Sequence, residues 1–342
     1  MIRRRVVGGL VLAFLLVVST GCSGSSSSTS TSTSTLPSVW TVYEPYADAR
    51  PAVEPVGTVV EGTVRTPDGL TRRYRLYVPS TLRAGERVPL LVALHGGTGW
   101  GAQFELNTGF DGLAESNHFL VVYPDGTNAR AESTTLLTWN GGVCCGAAAD
   151  RDVDDVRFIS LLLDELERTQ PVDTSRVFAT GHSNGAILSY RLACEMSDRI
   201  SAIGVQSGVI GVPCRPARPV SVFHLHGLAD TNIPIDGGRG SGIAGVVFPS
   251  PRIAPATFVE SDRCTTGPFD ASDSANPDVT ARTWSECEEG RAVRFVTVAG
   301  ASHAWMGHPS SAAGAASLVG TPYQGFDASR AIWSFLAAQP PR

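Results

Sequence analysis

The chain has 342 residues, 42% of them hydrophobic and 17% charged, with 27 basic residues, 32 acidic ones and a formal net charge of −5. Every basic residue is Arg, which excludes lysine Schiff bases, Ser-Lys dyads and a Walker A phosphate loop. The composition suits one large globular domain, not a disordered or fibrous chain, and the acidic balance argues against a nucleic-acid partner.

Met1 to Gly21 read as an export signal. Arg3, Arg4 and Arg5 form its positive start, and Val6 to Val18 form an uncharged apolar run. That run is shorter than the about 20 apolar residues a spanning helix needs. The next residues, Ser19-Thr20-Gly21-Cys22, resemble the lipobox of bacterial lipoproteins, with Ser19 where Leu is usual. Cys22 is therefore the expected lipidation site, and the attached lipid the only expected contact with a membrane. The expected location is outside the cell, anchored to the outer face of the membrane or released. Loss of the signal removes three Arg and no acid, which moves the formal charge from −5 to −8. Residues 22–38 are almost entirely Ser and Thr after the cysteine and cannot bury enough apolar surface to order themselves. They read as a tether; a coil of about 15 residues spans roughly 20 Å r.m.s.. An N-terminal extension over residues 39–56 and a main domain over residues 57–342 complete the expected organisation.

In chain order, Thr71 to Val78 alternates polar and apolar as a half-exposed strand does. Val88 to Leu94 and Phe119 to Tyr123 are continuous apolar runs, the mark of strands covered on both faces. Asp154 to Arg168 repeats apolar residues at helical spacing, Arg176 to Thr180 is a further strand, and Asn184 to Met196 a helix. Strands follow at Val220 to Leu225 and Val293 to Val298, then a helix at Asp327 to Ala337. Strands alternating with helices predict an α/β fold with a mostly parallel central sheet and helices on both faces. Gly237 to Gly290 reads as an irregular insertion over one end of that sheet, a candidate rim for a substrate cleft.

The sharpest motif is Gly181-His182-Ser183-Asn184-Gly185, directly between a strand and a helix. G-x-S-x-G is weak alone and strong in that context, because the tight turn projects the serine at the carboxyl edge of the sheet of an α/β-hydrolase. A serine hydroxyl needs a neighbouring base, and the chain order of this fold is Ser, acid, His. Of seven histidines, His303 follows a late strand through a short loop and is the expected base, with His308 as its rival. Asp230, in the turn after Val220 to Leu225, is the expected acid, ahead of Asp236 and Asp262. The oxyanion hole should use the N–H of Asn184 and a second N–H from His95-Gly96-Gly97-Thr98, with Gly97 ahead of Thr98. His95 is expected to order that loop and not to catalyse. Trp139 and Trp305 are the expected walls of the substrate pocket.

Apart from Cys22, six cysteines remain. An even number in an exported protein favours disulfides over metal or redox chemistry, and six allow 15 connectivities. Neither a metal nor a cofactor is expected.

The segments LYVPS, LLVALHGG, VVYPDGTN, WNGGVCCG, VDDVRFI, RVFATGHSNGAILSYRLACE, HLHGLAD and GASHAWMGH, in this order, resemble the polyhydroxybutyrate depolymerase and feruloyl/acetylxylan esterase family. The nearest likeness is to its actinobacterial lipoprotein esterase branch, and it covers about Tyr74 to Leu336. The resemblance implies an α/β-hydrolase that cleaves carboxylic esters, with Ser183, Asp230 and His303 in the roles given above. Met306-Gly307 departs from the usual Pro-Gly, and Gly97 stands where many depolymerases carry Cys. Small acyl or aromatic esters on carbohydrate rank above polyester as expected substrates, since no further polymer-binding module is expected before Arg342. No protein partner is evident. An exopeptidase on the same scaffold and a catalytically inert envelope-binding lipoprotein are the competing readings. Three bridges are expected. Cys194–Cys214 would tie the helix after the elbow to the loop following strand SAIGVQ, and Cys264–Cys287 would hold the rim of the insertion. A vicinal Cys144–Cys145 bridge follows mainly by elimination, in the turn after Trp139 that the resemblance places near the cleft.

Overall fold

The computed structural model describes residues 42–130, 133–310 and 315–342. The proposed export signal, Cys22 and the tether lie outside the described residues.

The first strands are β1 (Val42–Tyr43), β2 (Thr58–Arg65), β3 (Thr71–Val78) and β4 (Val88–Leu94). Two short helices, α1 (Gly101–Thr108) and α2 (Phe110–Asn117), lead to β5 (Leu120–Pro124). Then come α3 (Gly146–Asp150), α4 (Asp155–Thr169), β6 (Val172–His182), α5 (Asn184–Glu195), β7 (Ala202–Gln206) and β8 (Ser221–Gly227). A small β9 (Gly238–Arg239) and β10 (Val247–Phe248) pair with each other and precede α6 (Ile253–Ser261). The chain closes with β11 (Thr266–Asp273), β12 (Val279–Ser285), β13 (Val293–Val298), α7 (Ala315–Val319) and α8 (Ala328–Ala337).

Among the described residues one sheet runs β1-β11-β12-β13-β8-β7-β6-β4-β5-β3-β2. Its centre, β13-β8-β7-β6-β4-β5, is parallel throughout. Antiparallel pairs extend it on both sides, β3 and β2 beyond β5, and β12 and β11 beyond β13. The continuous apolar run of β4 follows from this position. Leu90, Val92 and Leu94 face one layer with Phe158, Leu162 and Leu166 of α4 and Leu188 of α5. Leu91 and Ala93 face the other with Phe104 of α1, Leu113 of α2 and Ile332 and Trp333 of α8. Strands β4, β5, β7 and β8 are buried on both faces along their whole length, so period-two alternation has no reason to appear there. In α4, Asp154 caps the helix by accepting the Arg157 N–H at 2.9 Å. The expected extension is not separate from this core: Tyr43 and Ala49 are buried with the α8 layer.

The stretch from Gly237 to Gly290 corrects the expectation of an irregular insertion. Only its first part lies at the rim; α6, β11 and β12 are regular, and β12 extends the main sheet. Strand β11 (TGPFDASD), flanked on its outer side only by the two-residue β1, has little apolar content and buries none of its residues, so neither its composition nor its period marks it. The Cys264–Cys287 bridge is displaced accordingly. Trp284 lies opposite Val293, where β13 begins, so the bridge sits at the amino-terminal edge of the sheet. Asp230 and His303 follow the carboxyl ends of β8 and β13, at the other edge. Cys194–Cys214 ties the end of α5 to the loop after β7, as expected, and Cys144 is paired with Cys145.

The Cys264→Ser/Cys287→Ser double variant reopens a loop of sequence separation 23. It should lose about 3 kcal/mol of stability in urea denaturation. Its kcat/KM on short esters should stay at the wild-type value, because the bridge is remote from the site. Loss of activity without loss of stability would show that this bridge does support the cleft.

Candidate active site

Ser183 stands alone between β6 and α5 with φ 54° and ψ −118°, a left-handed conformation that costs a non-glycine residue of order 1–3 kcal/mol. Its N–H donates to the Gln206 C=O at 3.1 Å, and its C=O accepts the Ile187 N–H at 3.0 Å. Both flanking glycines are sterically required. A Cβ on Gly181 would lie 2.4 Å from the Gly185 carbonyl carbon, and one on Gly185 would lie 2.1 Å from the Leu94 oxygen. The end of β4 thus meets the first turn of α5 backbone to backbone.

Asp230 lies in the turn after β8, with its side chain fully buried. Its Oδ2 accepts the His303 Nδ1–H at 2.7 Å, and its Oδ1 accepts the Asn232 and Ile233 N–H groups at 2.9 Å each. Burial alone would raise the Asp230 pKa; the His303 imidazole, His226 and the Ile233 N–H outweigh it and hold the carboxyl well below the usual carboxylate range. The rivals are engaged elsewhere. His308 Nε2 lies 3.2 Å from Asp327, and exposed Asp236 pairs with Arg252. Asp262 accepts the Val220 N–H below the start of β8, at the far edge of the sheet.

Two residues that the sequence reading did not single out hold the His303 loop. His182 Nε2–H donates to the His303 C=O at 2.6 Å, and burial keeps His182 neutral by lowering its pKa to about 3. Gln206, fully buried at the end of β7, donates from Nε2 to the Ala304 C=O at 2.9 Å and accepts the Met306 N–H at 3.1 Å. A polar residue closing an apolar strand (AIGVQ) was the available signal for Gln206.

Behind Asp230 runs a buried chain with one consistent direction. His226 Nε2–H must donate to the Ile233 C=O at 2.9 Å, so its Nδ1 accepts from His224 Nε2–H at 3.1 Å. His224 Nδ1 then accepts the Tyr190 O–H at 2.7 Å. Burial lowers the pKa of both imidazoles.

The loop after β4 brings Gly97 against Asn184, within 3.6 Å of the Asn184 Cβ for a Cβ built on Gly97. The Thr98 N–H donates to the Leu137 C=O at 2.8 Å, which removes Thr98 as an oxyanion donor. The Gly97 N–H has no acceptor among the described residues. His95 orders this loop: its Nε2 accepts the Gly126 N–H at 3.0 Å, so its Nδ1–H donates to the Gly96 C=O at 2.8 Å. Burial lowers the His95 pKa to about 4.

Trp139 is not a pocket wall. It is fully buried and lines neither cavity at the site. Its backbone N–H donates to Asn184 Oδ1 at 2.7 Å, its C=O accepts from Asn184 Nδ2 at 2.9 Å, and its Nε1–H donates to the His95 C=O at 2.9 Å. It therefore braces the loop after β4 and the start of α5 together. Trp305 does line a cavity, held by a 3.0 Å bond from Nε1–H to Ser329 Oγ.

Two cavities, of about 270 Å³ and 310 Å³, open onto Ser183, and His303 lines both. Their described walls contain no Asp, Glu or Arg. Among the described residues no group of three His, Cys, Asp or Glu side chains is placed to hold a metal ion.

A serine on a strand-turn-helix elbow of this sheet, with a carboxylate-bound imidazole on the loop after β13, defines the class as an α/β-hydrolase. The family described as "Esterase PHB depolymerase" matches residues 72–223, which includes Ser183 and stops short of Asp230 and His303. Over 324 residues the chain is 30% identical to NocK of Nocardia uniformis subsp. tsuyamanensis, a protein named as an esterase, covering 87% of this chain and 89% of that one. The chain belongs to this esterase family and is a serine carboxylic ester hydrolase. It is 28% identical over 246 residues to the bifunctional acetylxylan esterase/xylanase XynS20E of Neocallimastix patriciarum. It is 26% identical over 241 residues to feruloyl esterase B of Piromyces equi. These matches cover 71% and 68% of this chain but only 32% and 42% of those two proteins. Among solved structures, an acetyl xylan esterase from Aspergillus awamori superposes with a TM-score of 0.52 at 16% identity, over 71% of this chain and 93% of that one. A ferulic acid esterase from Anaeromyces mucronatus gives 0.52 at 15% identity, over 86% and 95%. At such identities these two show the fold.

Trp139→Phe keeps an aromatic ring and loses the bond to the His95 C=O. Removing one partner of a buried hydrogen bond costs about 1–3 kcal/mol, so kcat should fall by about tenfold or more. KM should change less, because the brace acts on the oxyanion donors. Steady-state kinetics checks this, and a change confined to KM would return Trp139 to the role of pocket wall.

Proposed function

We propose that Ser183 is the nucleophile of an acyl-enzyme mechanism, with His303 as the general base and acid and Asp230 as its orienting carboxylate. The observation that carries this reading is the 2.7 Å bond from His303 Nδ1–H to Asp230. A neutral imidazole that donates from Nδ1 has a free lone pair on Nε2, and His303 and Ser183 share the walls of both cavities. Ser183 Oγ attacks the ester carbonyl carbon as its proton passes to His303 Nε2. The N–H groups of Gly97 and Asn184 receive the oxyanion. On collapse, His303 returns the proton to the departing alkoxide, leaving an acyl-serine that water attacks by the same route.

Walls without Asp, Glu or Arg support a neutral ester on a neutral alcohol, of the short acyl or aromatic type on carbohydrate. Oligoesters of hydroxyalkanoate type rank below these. The same walls weigh against an exopeptidase, since they offer no carboxylate or guanidinium to a free peptide terminus. Three disulfides fit an oxidising compartment, and with the Gly21-Cys22 junction they support an exported protein held by lipid on Cys22.

Ser183→Ala and His303→Ala should each lower kcat by about 10⁴–10⁶, and adding Asp230→Asn to His303→Ala should cost little more, because residues of one unit are non-additive. A fluorophosphonate should label Ser183 in the wild type alone. An active His303→Ala beside an inactive His308→Ala would show that the base is His308.

Cys22→Ser should block lipidation and processing. Mass spectrometry of the mature N-terminus decides it: a diacylated Cys22 is expected, and an unmodified terminus beyond residue 22 would refute the anchor.

A further inference from the structure

The two cavities at Ser183 differ in chemistry and in the catalytic elements that line them. The smaller is walled by the His303 loop itself, through Ala304 and Trp305, with His182 below. The start of α1 adds Trp100, Phe104 and Gln103, and Leu136 and Leu318 are among the cavity's remaining walls. The Gln103 side-chain amide has no hydrogen-bond partner among the described residues, so a cleft faced by aromatic rings also carries an open donor and acceptor. The larger cavity is walled by Ile187 of α5, Ile233 beside the acid, and Ile243 and Phe248 of the segment between β8 and α6. Apart from Thr98, which lines both cavities, and the catalytic pair Ser183 and His303, its polar side chains are engaged within the protein. Asn232 donates to the Leu318 C=O, Ser241 bonds Thr231 and Asn232, and Thr138 Oγ1 bonds the Ala148 N–H. Beyond Ser183 and the residues beside it, what this cavity offers a ligand is mainly the apolar surface of Ile187, Ile233, Ile243 and Phe248.

We infer that the substrate lies across Ser183 in one direction, with its apolar acyl group between Ile187, Ile233 and Phe248 and its alcohol, a polyhydroxylated ring, between Trp305, Trp100 and Gln103. The inference rests on the acyl-enzyme reading above. His303 Nε2 must hand its proton to the departing oxygen, which sets the alcohol against the His303 loop, and that loop walls the smaller cleft. Aromatic faces beside an open amide suit the C–H faces and hydroxyls of a sugar. The larger cleft, at 310 Å³, is within the range of about 300–1,000 Å³ typical of small-molecule sites, and an acetyl group would leave most of it empty. Acyl groups longer than acetyl are therefore the matched ones.

The test is kcat/KM on a matrix of acetyl, hexanoyl and cinnamoyl esters of methanol and of glucose. The wild type should prefer hexanoyl and cinnamoyl to acetyl. Phe248→Ala should lower the hexanoyl-to-acetyl ratio by about tenfold with either alcohol, as loss of apolar pocket contacts does. It should also change the deacylation rate, which all esters of one acid share. Trp100→Ala and Gln103→Ala should lower the glucose-to-methyl ratio for every acyl group and leave deacylation alone. Phe248→Leu, with the melting temperature measured in parallel, keeps the test intact if Phe248→Ala does not fold. The reverse pattern, with Phe248 changing the alcohol ratio and Trp100 or Gln103 the acyl ratio, overturns the orientation and leaves the mechanism standing. A wild type that neither hydrolyses any of these esters nor takes a fluorophosphonate overturns the mechanism as well.

Discussion

The site depends on one steric constraint, the contact between the end of β4 and the first turn of α5. Gly185 comes so close to the Leu94 oxygen, and Gly181 to Gly185, that no side chain fits between them. Close-packed backbones leave the residue between the two glycines a single sharp path, and Ser183 takes it with a left-handed φ. The strain is held in place by the sheet, since the Ser183 N–H is fixed by Gln206 on the neighbouring strand β7. The same contact sets Gly97, three residues beyond β4, against Asn184 at the start of α5. Ser183 and the proposed oxyanion donors are thus positioned by one packing event.

A second ordering principle is that each buried histidine has one proton to place. His95 and His182 spend theirs on backbone carbonyls, and His224 and His226 pass a single direction of donation from Tyr190 to Ile233. Burial keeps all four neutral. His303 differs in placing its proton on a carboxylate, and Asp230 can remain ionised there because three donors converge on it. The neutral imidazoles add no charge to the cavity walls, so the one carboxylate of the site lies behind the base and not beside the substrate.

Legibility in the sequence followed the reach of each signal. The elbow is local, and its glycines, serine and flanking apolar runs spell out a strand, a turn and a helix. Asp230 and His303 are 73 residues apart and were narrowed by chain order and by their places after strands. Strand β12 escaped notice because it buries only Val279 and Ala281 on one face, and β11 because it lies near the end of the sheet and buries none of its residues. Trp139 was misread for a general reason: a large aromatic residue near a functional motif looks the same in sequence whether it walls a pocket or fills the space behind it. Only the bonds to Asn184 and His95 separate the two, and they join segments 45 and 44 residues apart. The loss of Thr98 as a donor has the same origin, since its N–H is taken by Leu137 across a loop.

The brace behind the oxyanion hole also accounts for a buried ion pair that stability alone would not favour. Arg72 and Asp155 are both almost wholly inaccessible and 2.7 Å apart. Desolvation makes such a pair no better, and often worse, than apolar residues of the same volume. Its return is positional. Asp155 uses its second oxygen to accept the Asn140 N–H at 2.7 Å, directly after Trp139, and the Arg72 guanidinium lies 4.1 Å from the Phe158 ring centre and 5.7 Å from that of Trp139. The Trp139-Asn140 backbone is therefore gripped on one side by Asn184 and on the other by a charge that cannot leave without stranding its partner. Apolar packing would let that turn slide, whereas charged and directional bonds give it one register. The energy spent on burying the pair is recovered as precision in the Asn184 and Gly97 N–H groups, where a small displacement would weaken every oxyanion the site forms.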